Sequence, residues 1–126
     1  KALGMKLKPY GISPIDWADR VERIGIAANS AAEVLGLDIP ISDDEVRNTD
    51  TYIGEGYGIL TPECAEAIRL VAQTEGIFLD PVYSGKAMAG LIDHVRQGRI
   101  TADDTVIFLH TGGTPQLFVF NEELCT

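Results

Sequence analysis

The chain has 126 residues, room for one domain. Apolar residues make up 45% and charged residues 23%, which excludes collagen-like, disordered and disulfide-scaffold chains. Nineteen acidic against ten basic residues give a net charge of −9, which argues against nucleic acid or anionic lipid as a partner.

The apolar runs are short, Val106–Leu109 and Leu117–Phe120 among them. None approaches the ~20 residues of a membrane span. Cys64 and Cys125 form no CxxC and no zinc-type spacing, and neither has a His nearby. They read as free thiols in a reducing cytosol, and no signal peptide is expected. The opening KALGM, without an initiating Met at position 1, reads as the tail of a helix with Gly4 as its stop. The expectation is a piece of a longer chain.

Leu7–Ile12 is a short extended run, with Pro9 arguing against a central ladder position. Ser13-Pro14 reads as an N-cap followed by Pro at the first helical position, with Asp16 in the first turn. Trp17, Val21, Ile24, Ala28, Ala31 and Leu35 then recur at helical spacing, a stripe expected in the core. Gly36 ends that helix. Leu37–Asp50 is polar and irregular. Its cluster Asp43-Asp44-Glu45 lacks the pattern of a calcium loop and reads as a solvated face.

Tyr52–Tyr57 is a glycine-rich connection. Thr61-Pro62-Glu63 opens a second helix, with Ala65, Ile68, Val71 and Ala72 as its apolar face and Gly76 as its stop. Ile77–Leu79 is a three-residue apolar segment before Asp80-Pro81-Val82-Tyr83. Ser84-Gly85 opens a third helix, with Met88, Leu91, Ile92 and Val95 expected inside and Gly98 as its end. Thr105–His110 is β-branched, aromatic and apolar on both faces, as in a parallel strand covered on both sides. Thr111-Gly112-Gly113 follows it, and Leu117–Phe120 is a last extended or short helical piece. Strands alternating with helices imply an α/β fold with a mainly parallel sheet flanked by helices.

In such sheets ligands sit beyond the C-terminal ends of the strands. That points to Tyr57, to Tyr83-Ser84 and to Thr111-Gly112-Gly113. The glycine turn could cradle a phosphate, but no clear helix follows and the Gly-Lys-Ser/Thr of a Walker loop is missing. Ser84 and Lys86 lack the spacing of a Ser-x-x-Lys site. Lys86 stands in a first helical turn, where the dipole disfavours a cation, so a carboxylate such as Asp80 is its expected partner. His94 is expected at the surface. His110 ends a strand and could reach a site. Tyr57 and Tyr83 each follow an apolar segment in a Gly/Pro-rich loop, where a phenol can orient a carboxylate or relay a proton. No metal site is expected. The residues by themselves reach a ligand-binding half of an α/β enzyme.

The run YIGEGYGILTPECAEAIRLVAQTEGIFLDPVYSGKAMAGLIDHVRQGRI, followed by VIFLHTGGTPQLFVF, resembles the C-terminal part of the D-cysteine desulfhydrase and aminocyclopropane-carboxylate deaminase family. These are pyridoxal-phosphate enzymes of the tryptophan-synthase-β-like fold (fold-type II). The resemblance covers Tyr52–Phe120 and extends to Lys1–Leu37; the segment TEGIFLDPVYSGKAMAGLID is its most specific part. It implies that residues 1–126 are the last part of the large cofactor domain. The family's Asn-Lys-x-Arg-Lys stretch with the covalent lysine, and its Thr-Gly-Ser-Gly-Gly-Thr phosphate loop, would lie upstream. None of Lys1, Lys6, Lys8 and Lys86 matches the covalent position.

The resemblance further implies a pyridoxal 5′-phosphate cofactor and residue roles at the matching positions. Thr111 would face the pyridine nitrogen, Gly112 would leave room for the ring, and Ser84 would belong to the cofactor site. Tyr83 and Tyr57 would be the active-site tyrosines. The deaminase type carries Glu after the DPVY tyrosine and Leu before the Gly-Gly. This chain has Ser84 and Thr111, as in the desulfhydrase type and the related L-cysteate sulfo-lyases. The implied reaction is α,β-elimination of a small amino acid, D-cysteine or L-cysteate, with release of sulfide or sulfite, pyruvate and ammonia. A cytoplasmic homodimer is the expected whole protein. The competing readings are a truncated, non-catalytic assembly subunit and the aminocyclopropane-carboxylate deaminase itself.

Overall fold

The structure, a computed structural model, describes residues 1–125. In chain order its elements are β1 (Gly11–Ile12), α1 (Arg20–Val34), a 3-10 turn (Asp43–Glu45), β2 (Asn48–Thr49), α2 (Pro62–Glu75), α3 (Ser84–Arg96), a second 3-10 turn (Thr114–Phe118) and α4 (Asn121–Leu124). This is the expected α/β arrangement, with a parallel sheet and helices.

β1 and β2 pair in parallel, Gly11 opposite Asn48 and Ile12 opposite Thr49. A parallel pair needs a crossover, and α1 lies within it. Ser13 belongs to this pairing and not to a helix. Its N–H donates to Thr49 O at 2.8 Å and its hydroxyl to Asn48 Oδ1 at 2.9 Å. The expected helix start at Ser13-Pro14 is therefore corrected to Arg20, with Asp19 as N-cap. β2 falls inside the stretch expected to be irregular, and its two polar residues carry no strand signal of their own.

The stripe on α1 is not core either. Trp17 is 47% exposed, with the Arg23 guanidinium 5.1 Å from its ring centre, and Ile24 and Leu35 are exposed as well. The single buried residue of α1 is Gly25, where a Cβ would lie 3.1 Å from Asp43 Oδ1. Helical spacing marks a face that seeks apolar cover, and the described residues leave most of this one open, with only Val21 and Ala28 partly buried. Gly36 does end the helix, at φ 66°, with the Leu37 N–H donating to Ala32 O. The acidic cluster is a solvated 3-10 turn. The Ser42 N–H donates to Glu45 Oε2, and Lys1 Nζ donates to the same carboxylate at 2.7 Å.

The core lies between α2, α3 and the extended segment 77–80. Cys64, Ile68, Val71 and Leu79 form its centre, with Leu60, Met88, Phe108, Leu117 and Leu124 packed around them. α2 begins and ends as expected. Thr61 Oγ1 accepts from the Cys64 N–H at 3.2 Å, Pro62 follows, and Gly76 closes the helix at φ 68°. The buried face of α3 differs from the expectation. Ser84, Gly85, Lys86, Ala89 and Gly90 are inside, while Val95 is exposed. Small residues allow close approach. A Cβ on Gly85 would stand 2.6 Å from Asp80 O and 2.7 Å from Cys64 Sγ, and one on Gly90 would stand 2.7 Å from Ile12 Cδ1.

Thr105–His110 runs extended but pairs with no strand among the described residues. Ile107 and Leu109 are 78% and 80% exposed, so the expected cover on both faces is not supplied by these residues. Leu117–Phe120 is helical rather than extended, within and just beyond the second 3-10 turn. No helix of the described residues is long and apolar enough to cross a membrane.

Two outcomes follow. The 126-residue chain on its own self-associates, because Ile107, Leu109, Phe118 and Val119 stand in water. Sedimentation velocity showing a stable monomer would contradict this. Gly85→Ala costs about 1–3 kcal/mol of stability through overpacking, read as a lowered denaturation midpoint.

Candidate active site

The site is organised by Asp80. The apolar segment 77–79 ends with fully buried Leu79, and Asp80 follows at 0% exposure. Its Oδ2 accepts from the N–H groups of Val82 (2.8 Å) and Tyr83 (2.7 Å). Its Oδ1 accepts from the Ser84 N–H (2.7 Å) and the Ser84 hydroxyl (2.6 Å). Pro81 fixes one backbone angle between them. The carboxylate thus serves the free N–H groups at the start of α3, where negative charge is favoured. Burial alone would raise the Asp80 carboxyl. The Ser84 hydroxyl and the three N–H donors outweigh it and hold the group below its ordinary value.

Ser84 is 1% exposed and its hydroxyl is engaged twice. It donates to Asp80 Oδ1 and accepts from the Asp80 N–H at 2.8 Å. One lone pair of that oxygen remains.

The glycine turn rests on the same anchor. Gly112 and Gly113 lie at φ 89° and 87°, a conformation that side chains disfavour. A Cβ on Gly113 would stand 2.7 Å from Asp80 Cγ, whereas one on Gly112 would meet nothing within 4 Å. His110 sets the entry to the turn. Its Nδ1 accepts from the Gly112 N–H at 3.0 Å, so its Nε2 carries the proton and donates to Phe78 O at 2.9 Å. His110 therefore joins segment 77–79 to the turn. Thr111 stands exposed between them.

Tyr83 precedes α3, and Tyr57 comes from the glycine-rich loop after β2. Their hydroxyls are directly hydrogen-bonded, with ring centres 6.1 Å apart and planes at 65°. The bond to Tyr57 raises the Tyr83 phenol above its ordinary value, so it keeps its proton at neutral pH. Both rings are partly exposed, at 51% and 39%. Of the five expected site residues, Tyr57 and Tyr83 touch one another. Tyr83 and Ser84 hang on Asp80, and the Thr111-Gly112-Gly113 turn is seated on it through Gly113.

Three residues stand differently from the sequence expectation. Asp80 is not the partner of Lys86 but the cap of the site loop; an Asp-Pro shortly before a helix start is the signal that could have found it. Lys86 is buried at 1% exposure, and its Nζ donates to Ile53 O (2.6 Å) and Gly56 O (3.2 Å). Its flanks of Ser, Gly and Ala already implied close packing around it. His94 is half-buried and stacks edge-on against Tyr10 at 4.8 Å, not at the open surface.

The residues present fit the ring side of a pyridoxal-type cofactor. An open, Cβ-free Gly112 lies beside an exposed threonine hydroxyl. Of the four lysines, Lys86 is engaged by two carbonyls, and Lys1, Lys6 and Lys8 lie in the exposed N-terminal segment. No group of three or more His, Cys, Asp or Glu among the described residues could hold a metal ion.

Asp80→Asn turns an amide N–H₂ toward backbone donors and should lower stability at pH 7 by about 1–3 kcal/mol. The depressed Asp80 carboxyl stabilises the fold fully above its ordinary value of 3.8. That stabilisation is lost as pH falls through the folded value. Denaturation curves of wild type and variant should therefore converge below pH 3.8.

Comparison with known proteins identifies the family. A family model described as pyridoxal-phosphate dependent enzyme matches residues 2–112. A crystal structure of an ACC deaminase homologue is 34% identical and superposes with a TM-score of 0.84 over 98% of this chain. The chain spans 36% of that protein's length. With a family model that matches most of the chain and a shared fold, the chain belongs to the pyridoxal-phosphate dependent enzymes.

Proposed function

We propose that this chain is the C-terminal part of the cofactor domain of an enzyme that performs α,β-elimination on a sulfur-containing amino acid. The substrate is D-cysteine, giving pyruvate, sulfide and ammonia, or L-cysteate, giving pyruvate, sulfite and ammonia. The observation that carries this reading is the directly bonded Tyr57–Tyr83 pair, tied through Asp80 to the Thr111-Gly112-Gly113 turn.

Pyridoxal phosphate, when bound, supplies the sink for the electron pair left at the substrate Cα. The chain's own residues bind and orient. Gly112 would leave the ring its space. The Thr111 hydroxyl would face the pyridine nitrogen; unlike a carboxylate it would not protonate that nitrogen strongly, which would favour elimination over transamination. In the phenol pair one hydroxyl donates to the other, which leaves one proton free for a substrate carboxylate. Because Tyr83 stays protonated, the pair serves as donor and can pass a proton along its own hydrogen bond. Ser84 acts through Asp80, keeping the loop in place.

Loss of sulfur is preferred to cyclopropane opening because Ser84 and Thr111 stand where the deaminase type carries Glu and Leu. The covalent lysine and the phosphate loop lie outside this chain in this reading. The uncovered apolar faces of α1 and of residues 106–109 support that, since surfaces of this kind are normally buried. The whole protein is read as a cytoplasmic homodimer.

The test uses the full-length protein that carries this segment. Pyruvate should appear with sulfide from D-cysteine or with sulfite from L-cysteate. 2-Oxobutanoate from 1-aminocyclopropane-1-carboxylate as the sole product would favour the deaminase. Tyr83→Phe should lower kcat about 100-fold while the bound-cofactor absorbance is kept. An unchanged kcat would remove Tyr83 from the reaction.

A further inference from the structure

α3 carries a cation where helix physics opposes one. Lys86 is the third residue of the helix, in the turn whose N–H groups and dipole disfavour positive charge. It is also buried, and burial pushes its ammonium toward the neutral form. Its Nζ makes no ion pair among the described residues; the hydrogen bonds it gives go to two backbone carbonyls, Ile53 O and Gly56 O. A methionine would fill such a position with less opposition. The cation is placed against the preferences of both helix and core.

Both acceptors lie in one loop. Ile53 is buried at its root, and Gly56 is the residue before Tyr57. That loop has little to fix it. Gly54, Gly56 and Gly58 alternate through it, and Gly54 and Gly58 stand at φ 73° and 76°. Its own backbone bonds are few, the Ile53 N–H to Asp50 O at 3.1 Å and the Ile59 N–H to Gly56 O at 3.3 Å. Glycine alternation leaves many conformations open unless something outside the loop selects one. Tyr52 ties the start of the loop to α3, its hydroxyl donating to Asp93 Oδ2 at 2.6 Å, and the Lys86 ammonium is the outside contact on the loop's main chain next to Tyr57. It is rooted in the first turn of α3, three residues after Tyr83, and it reaches the carbonyl beside Tyr57. One side chain thereby relates the two backbones that carry the phenol pair.

We propose that Lys86 is a positioning residue for the elimination. Its ammonium, held by the Ile53 and Gly56 carbonyls, sets Tyr57 against Tyr83. The inference rests on the reading of that tyrosine pair as the working group of the site. Lys86 itself meets neither substrate nor cofactor.

The experiment uses the full-length protein with Lys86→Met, which fills the space without donors, and Lys86→Gln, which keeps an N–H donor. Lys86→Met should lower kcat for the sulfur amino acid about 10- to 100-fold with KM changed less than about 3-fold, and Lys86→Gln should fall between. In a Tyr57→Phe background the same change should cost less than about 2-fold, because the group it positions is gone. A second readout does not depend on turnover. In protein labelled with ¹³Cζ-tyrosine, the Tyr83 signal, assigned by Tyr83→Phe, should titrate above its ordinary value of 10.0 in wild type and move back toward it in Lys86→Met.

Equal losses of kcat in both backgrounds, or an unmoved Tyr83 titration in Lys86→Met, would overturn the proposal. If the wild type turns over no sulfur amino acid, the functional reading fails while the titration still decides the role of Lys86. If Lys86→Met does not fold, Lys86→Gln carries both readouts with the same signs.

Discussion

The Asp80 carboxylate accepts four hydrogen bonds, three from N–H groups of Val82, Tyr83 and Ser84 and one from the Ser84 hydroxyl, without any exposure to solvent. A buried carboxylate lacking donors would take up a proton and lose its hold on its neighbours. With four donors, and at a helix start that favours negative charge, it stays ionised. Three parts of the chain are defined against it. The segment 77–80 ends there, α3 begins there, and Gly113 lies so close that no side chain could replace its hydrogen. The direction of Tyr83 and the seat of the Thr111-Gly112-Gly113 turn both descend from this one group.

Around that anchor the structure assembles a working face from unlike materials. The loop bearing Tyr57 is rich in glycine and has few bonds of its own, whereas α3 is packed through glycine, alanine and a buried cation. The site pairs a pliable element with a rigid one. Such a pairing suits a residue that must meet a small substrate without giving up a defined partner. The family match and the 34% identical ACC deaminase homologue place the chain among the pyridoxal-phosphate dependent enzymes. In the proposed reading, Ser84 and Thr111 are the features of this chain that bear on which bond the substrate gives up.

Local signals were legible in the sequence and partner-dependent ones were not. Thr61-Pro62-Glu63 and Gly76 bound α2 as read, because a cap, a proline and a left-handed glycine act within one turn of chain. The stripe of α1 is helical as read, yet Trp17 is not core, because periodicity reports a need for cover and not its presence. β2 is two polar residues made into strand by β1, which no pattern within Asn48–Thr49 reveals. Tyr57, Tyr83 and the glycine turn were placed by the rule that ligands sit beyond strand ends, together with the family resemblance. Asp80 and Lys86 were paired on charge alone. The structure separates them, since Asp80 is satisfied by backbone N–H groups and Lys86 by backbone carbonyls. Long-range main-chain partners of this kind leave no mark in spacing.

Cys64 lies directly beneath the anchor, with its thiol donating to Pro81 O at 3.4 Å and its pKa pushed by burial up to about 12. It is fully enclosed, while Cys125 is exposed. The two thiols therefore differ in chemical character within one chain. Cys125 is open to alkylating agents, and Cys64 reacts only when the ground under the Asp80 loop opens. A slow modification rate at Cys64 would thus serve as an internal clock for breathing of the floor of the site, set in the sequence at the start of α2 and read without any added probe.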